Sequence, residues 1–159
     1  MGRHSKPRRA TRAWALAGMA GLVAVPAPGF AAAEDQAGTS SLIPGTPCTV
    51  TAKACVDLDG QEAWLVDEGE VVRGPVPISS GGSGNETPTG DFRVEWKHDD
   101  HISGEFGSPM PYSVFFAEGG IAFHEGPLDH PSAGCVRLAH EDAVAFFDQL
   151  AVGDEVQVR

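Results

Sequence analysis

Apolar positions along this chain fall mostly in short runs that alternate with polar ones, the period-two pattern of half-buried strands. Residues 61–67 (Gln-Glu-Ala-Trp-Leu-Val-Asp) and 70–78 are each of strand length and flank Glu68-Gly69, which predicts a hairpin. Phe92-Arg93-Val94-Glu95-Trp96 alternates strictly and predicts one half-buried strand. Residues 113–117 and 121–124 predict a second hairpin that turns at Glu118-Gly119-Gly120. Helical spacing stands out once. After His140-Glu141-Asp142, whose acids suit a helix N-terminus, Ala143, Phe146, Phe147 and Leu150 recur on one face, with the Phe pair assigned to the core. Gly153 lies just past that helix, and residues 155–158 predict a last strand. The run at 79–85 (Ser-Ser-Gly-Gly-Ser-Gly-Asn) has too little side chain to pack and is expected to be an exposed loop. Lys97-His98-Asp99-Asp100-His101, bordered by Ser103-Gly104, is expected to be a solvated polar loop. The sum is a mainly β domain with one clear α-helix near the C-terminus.

Charge divides the chain unevenly. Five of its 11 Lys and Arg residues, and no acid, lie in the first 12 of 159 positions. An apolar stretch from 13 to 25 follows, then Pro26, Pro28 and Ala31-Ala32-Ala33, the layout of a secretory signal peptide cut after Ala33. The apolar run is short for a membrane span, although an uncleaved anchor is the alternative. Arg8-Arg9 invites a twin-arginine reading that the following residues do not match, so the export route stays open. Residues 34–47, rich in Gly, Ser, Thr, Ala and Pro, are expected to be a flexible leader, and 48–159 the domain. Without residues 1–33, six basic side chains face 22 acidic ones, a formal net charge of −16. Such a surface repels nucleic acid. The expected location is outside the cell or in its wall, with no membrane contact after cleavage.

An exported protein can hold disulfides. Cys48 and Cys55 bracket six residues and can be bridged if the segment turns back, although three pairings among the three cysteines are formally possible. Bridging that pair leaves Cys135 as an odd thiol, within the run from His124 to Arg137 (His-Glu-Gly-Pro-Leu-Asp-His-Pro-Ser-Ala-Gly-Cys-Val-Arg). A thiol becomes a nucleophile beside a base or a positive charge, and His124 and Arg137 are candidates for those roles, with His130 a spare base. Gly134 lets the backbone approach a reacting carbonyl, so its amide is a candidate oxyanion donor. Ser132 suits a turn residue bonded to its own backbone. His98 and His101 have the residue types of a metal site, but their spacing matches no strong zinc pattern, and no metal or cofactor is expected.

Ser132-Ala133-Gly134-Cys135-Val136-Arg137 resembles the signature of the L,D-transpeptidase catalytic domain (YkuD-type), Ser/Thr-x-Gly-Cys-x-Arg/Asn with an upstream histidine. Thr87-Pro88-Thr89-Gly90-Asp91-Phe92, Met110-Pro111-Tyr112 and Ile121-Ala122-Phe123-His124 resemble further segments of that family, in the same order. The resemblance runs from about Cys55 to Arg159 and implies a β-sandwich-like fold. It implies Cys135 as nucleophile, His124 as base and the backbone carbonyl of Glu125 as the group that orients His124. Arg137, Tyr112 and Ser132 become candidates for contact with substrate. The implied reaction passes through a thioester on Cys135 and joins peptidoglycan stem peptides by 3→3 cross-links, a step in wall biogenesis and cell shape; with water as acceptor the same site is a carboxypeptidase. Carbapenem-type β-lactams are the implied covalent inhibitors. A metal-dependent wall hydrolase and a non-catalytic, disulfide-bonded wall module are the competing readings. Two departures bear on substrate preference: many members have histidine at the position of Ala133, and the loop from His124 to Cys135 is short.

Overall fold

The computed structural model describes residues 41–159; the signal-peptide expectation for residues 1–33 lies outside them. Nine strands and one helix follow in order: β1 (Ala54–Asp57), β2 (Glu62–Asp67), β3 (Glu70–Pro77), β4 (Gly90–Arg93), β5 (Trp96–Ile102), β6 (Pro109–Ala117), β7 (Ile121–Glu125), β8 (Val136–Leu138), α1 (His140–Gln149) and β9 (Glu155–Val158). They form a five-stranded sheet, β3-β2-β1-β9-β4, and a four-stranded sheet, β5-β6-β7-β8. Both predicted hairpins form, and so do the helix and the final strand. No helix among the described residues is long and apolar enough to cross a membrane.

Period-two alternation sorts the side chains of each sheet into two faces. Ala54, Val56, Ala63 and Leu65 of the first sheet meet Val114, Phe116, Phe123, Val136 and Leu138 of the second in the main core, closed by Ala143, Phe146 and Leu150 from the helix segment. The residues between them point outward. On the first sheet Cys55, Trp64 and Val66 bury against Ile43, Cys48 and Ala52. On the second, Phe115 and Ala122 pack with Met110 and Cys135. The two sheets therefore cover different things on their outer faces: an N-terminal strap on one, and the candidate chemistry on the other.

Four expectations need correction. The leader is not free up to residue 47, because Ile43 is buried, Leu42 bridges to Thr49 and the amide of Ile43 donates to the Cys48 carbonyl at 2.9 Å. Residues 92–96 do not form one strand; β4 ends at Arg93 and β5 begins at Trp96, with Val94 and Glu95 crossing from one sheet to the other. Residues 97–101 are not a loop but the middle of β5, paired antiparallel to β6. An edge strand keeps much of its length in water, so charged side chains suit it and the alternation that marks a strand is lost. Lys97 also reaches the C-terminal end of α1, where its ammonium donates to the carbonyls of Phe147 and Leu150. Finally, residues 79–85 are solvent-exposed only at 83–85, and the start of the segment is packed. Ser79 and Ser80 are buried, and the Ser79 backbone exchanges hydrogen bonds with Arg137 at 3.1 and 2.9 Å.

Candidate active site

Cys135 and His124 reach one cleft because β7 and β8 run parallel. Their register pairs Phe123 with Val136 and His124 with Arg137, so Phe123 and Val136 enter the core while their neighbours turn to the outer face. His124, Cys135 and Arg137 line a cleft of about 770 Å³. Ten residues separate His124 from Cys135 in sequence, and Arg137 holds the intervening loop down. Its guanidinium donates to the carbonyls of Pro127 at 3.5 Å and His130 at 3.3 Å. Gly126 makes room for that arm, since a Cβ there would sit 2.8 Å from Arg137 Cδ.

The ring of His124 is fixed by its neighbour. Nδ1 lies 2.7 Å from the Glu125 carbonyl oxygen. A carbonyl can only accept, so Nδ1 carries the proton and Nε2 is left with a lone pair, which is what a general base requires. Burial lowers the His124 pKa below the ordinary imidazole value, and the charges of Arg137 and His101 push the same way, against the Glu125 bond, which raises it. Burial likewise raises the Cys135 thiol above its ordinary value, opposed by a backbone hydrogen bond from Ala122 and by Arg137. Both shifts favour a neutral thiol beside a neutral imidazole. Cys135 is the free cysteine among the described residues, since Cys48 and Cys55 are joined in a disulfide. Its thiol lies half-buried, 3.6 Å from the Gly120 carbonyl in the β6–β7 turn.

The turn before Cys135 is built by Ser132 and Gly134. The Ser132 hydroxyl accepts from the Gly134 amide at 3.1 Å and donates to the Cys135 carbonyl at 2.5 Å. Gly134 has φ +117°, and a Cβ on it would sit 2.6 Å from Ile121 Cδ1, so this position takes only glycine. Below the turn, Thr87 donates its hydroxyl proton to the Gly134 carbonyl at 2.7 Å.

The structure redistributes the other candidates. The Gly134 amide, expected as an oxyanion donor, donates to the Ser132 hydroxyl at 3.1 Å. Ser132 lines the cleft, yet its hydroxyl is spent within the turn. Tyr112 does not line the cleft: at φ +57° on β6, its ring packs edge-on against His140 and Phe147, on the helix side of the sheet. The Glu125 carboxylate accepts from His140 Nδ1 at 2.8 Å, so only the Glu125 backbone serves His124. His130 borders the cleft, with Nδ1 2.7 Å from the carboxylate of Asp129. Among the described residues no three His, Cys, Asp or Glu side chains converge as metal ligands.

Two cleft residues, Trp96 and Asn85, escaped the sequence reading, and His101 enters the cleft as an aromatic neighbour of Trp96 rather than as the metal ligand considered there. Trp96 stacks on Phe115 at 3.7 Å between ring centroids, His101 stands edge-on to both, and Asn85 lines the same cleft. No period in the sequence marks Trp96 and His101 as neighbours, because a spacing of five along a regular strand puts two side chains on opposite faces.

Comparison with known proteins bears on the family and the fold. The family model of the YkuD L,D-transpeptidase catalytic domain matches residues 51–158. No curated protein sequence matches the chain. Among solved structures it is similar to an L,D-transpeptidase (Yku) from Stackebrandtia nassauensis, at 31% identity and TM-score 0.63, over 67% of this chain and 54% of that one. It is also similar to an L,D-transpeptidase from Xylanimonas cellulosilytica, at 29% identity and TM-score 0.63, over 72% and 63%. The L,D-transpeptidase LdtMt1 in complex with imipenem shares the fold at 23% identity and TM-score 0.61, over 67% and 57%. The chain thus spans less than two thirds of the length of each.

Proposed function

The chain belongs to the L,D-transpeptidase catalytic domain family, and from that premise we propose that it is a cysteine acyltransferase acting on peptidoglycan stem peptides. One observation carries the reading: a histidine whose Nδ1 is held by the next residue's carbonyl lines the same cleft as a free thiol. Cys135 Sγ attacks the carbonyl carbon of the third stem residue and passes its proton to His124 Nε2. The amide C–N bond then breaks, and His124 returns the proton to the departing D-alanine amine, leaving a thioester. An amine of a second stem attacks that thioester and displaces the thiolate, which closes a 3→3 cross-link. Water in place of the amine gives a shortened stem instead. Because both shifts favour a neutral pair, proton transfer accompanies attack rather than preceding it, and the barrier is lowered by donors aimed at the developing oxyanion.

Imipenem, the β-lactam bound in the LdtMt1 structure, offers a probe with a strained amide in place of the stem. Intact-mass spectrometry and thiol counting on the unreduced protein are expected to find one free thiol before treatment, and one imipenem adduct on Cys135 with no free thiol after it. Cys135→Ala should fold and take up none. His124→Ala should keep its thiol and acylate slower by roughly 10²–10⁴-fold, the usual worth of a positioned base. A Cys135→Ala variant that still cross-links stems would sink the mechanism, and mass analysis of stem products separates amine from water as acceptor. Export goes with this substrate, so the secreted protein should begin at Glu34, which N-terminal sequencing checks.

A further inference from the structure

Thr87 is 3% exposed and hydrogen-bonds neither the thiol nor the imidazole, yet its hydroxyl ties Gly81 to the turn that carries the nucleophile. Its oxygen accepts from the Gly81 amide at 2.9 Å, and its single proton goes to the Gly134 carbonyl at 2.7 Å. Gly81 can only donate and Gly134 can only accept, so the direction of both bonds is set.

We propose that Thr87 is the positioning residue of the oxyanion site, acting through the peptide plane between Gly134 and Cys135. This rests on the acyl-transfer reading of Cys135. The Gly134 carbonyl and the Cys135 amide belong to one planar trans peptide and point in opposite directions. Anchoring the carbonyl on a buried hydroxyl turns the Cys135 N–H the other way, toward the cleft that Cys135 lines. The neighbouring groups are already engaged: the Gly134 amide with Ser132 Oγ, and the Cys135 carbonyl with the Ser132 hydroxyl. Of the two amides flanking the Gly134 α-carbon, that of Cys135 is the one left for an oxyanion. A glycine flanks that plane, and glycine's wide torsional freedom would let the plane swing once its carbonyl is released. Thr87 supplies the restraint that Gly134 cannot.

The test separates oxyanion chemistry from thiol chemistry. Acylation by imipenem passes through a tetrahedral oxyanion, whereas alkylation by iodoacetamide displaces iodide at carbon and forms none. Thr87→Val keeps the shape and loses the hydroxyl; Thr87→Ser keeps the hydroxyl. Removing an oxyanion donor outright costs about 10²–10³-fold in rate, so misaiming it in Thr87→Val should slow acylation by roughly 10–100-fold, with alkylation within about threefold of the parent. Thr87→Ser should acylate within about threefold of the parent. Acylation of Thr87→Val at the parent rate overturns the proposal. So does a parallel loss of acylation and alkylation, which would make Thr87 a scaffold residue only. A Thr87→Ser variant that acylates more than tenfold slower than the parent overturns it too, and that arm holds whether or not Thr87→Val folds. A parent protein that iodoacetamide labels at Cys135 but imipenem does not acylate removes the acyl-transfer reading itself, before any variant is compared.

Discussion

His124 and Cys135 are each displaced from their ordinary acidity by burial, in the directions that keep both neutral. This has a consequence for pH dependence. The active base is neutral imidazole, so acylation should rise with pH as His124 loses its proton. The lowered pKa puts that rise below the ordinary imidazole value of about 6.5. A pH profile of imipenem acylation that climbs only above 6.5 would contradict the burial argument. Stability follows the same group. Folded His124 binds a proton less readily than the unfolded chain does, so its contribution is present above about 6.5 and lost as the pH falls through the lower folded value. Thermal unfolding of the parent and of His124→Ala between pH 7 and 5 should show a drop in the first that the second lacks.

The element that most affects the site without supplying its chemistry is the crossing at residues 79–85. Here the backbones approach so closely that a Cβ on Gly81 would sit 2.0 Å from the Asn85 carbonyl oxygen and 2.6 Å from the Thr87 amide. Gly81→Ala must therefore push the segment apart and should cost about 1–3 kcal/mol in urea unfolding, the usual range for overpacking. It should also slow acylation, because Gly81 donates to the hydroxyl that holds Gly134. Gly104→Ala is the matched control: nothing lies within 4 Å of its Cβ position, and stability should change by less than about 0.5 kcal/mol. Equal effects from the two substitutions would show that close approach at Gly81 does not matter. The poverty of side chain that suggested an exposed loop is what admits this packing.

Across the whole molecule, the strap and the cleft sit on opposite outer faces of the sandwich, since the residues beneath each alternate with the shared core. The Cys48–Cys55 disulfide closes a short loop that ties the strap to β1. Replacing both cysteines by alanine should remove about 2–3 kcal/mol of stability, as expected for a loop of this length. The imipenem acylation rate of the folded protein should not change. A loss of rate in the folded double variant would mean that the two faces are coupled through the core.

The hairpins at Glu68-Gly69 and Glu118-Gly119-Gly120, the helix carrying Ala143, Phe146 and Leu150, and the last strand could all be read from local patterns. Burial on one face imposes a period on the sequence, and a turn imposes glycine. The pairing of a histidine with a lone thiol could be read too, because few other residue types perform that chemistry. Tertiary contacts alone made an edge strand of Lys97–His101, drew Ile43 into the core, turned Tyr112 to the helix side and tied the Gly134 carbonyl to Thr87. None of these leaves a period in the sequence. An edge strand answers to water as much as to the core, and a backbone carbonyl or amide carries no record of the partner that will satisfy it until distant segments meet.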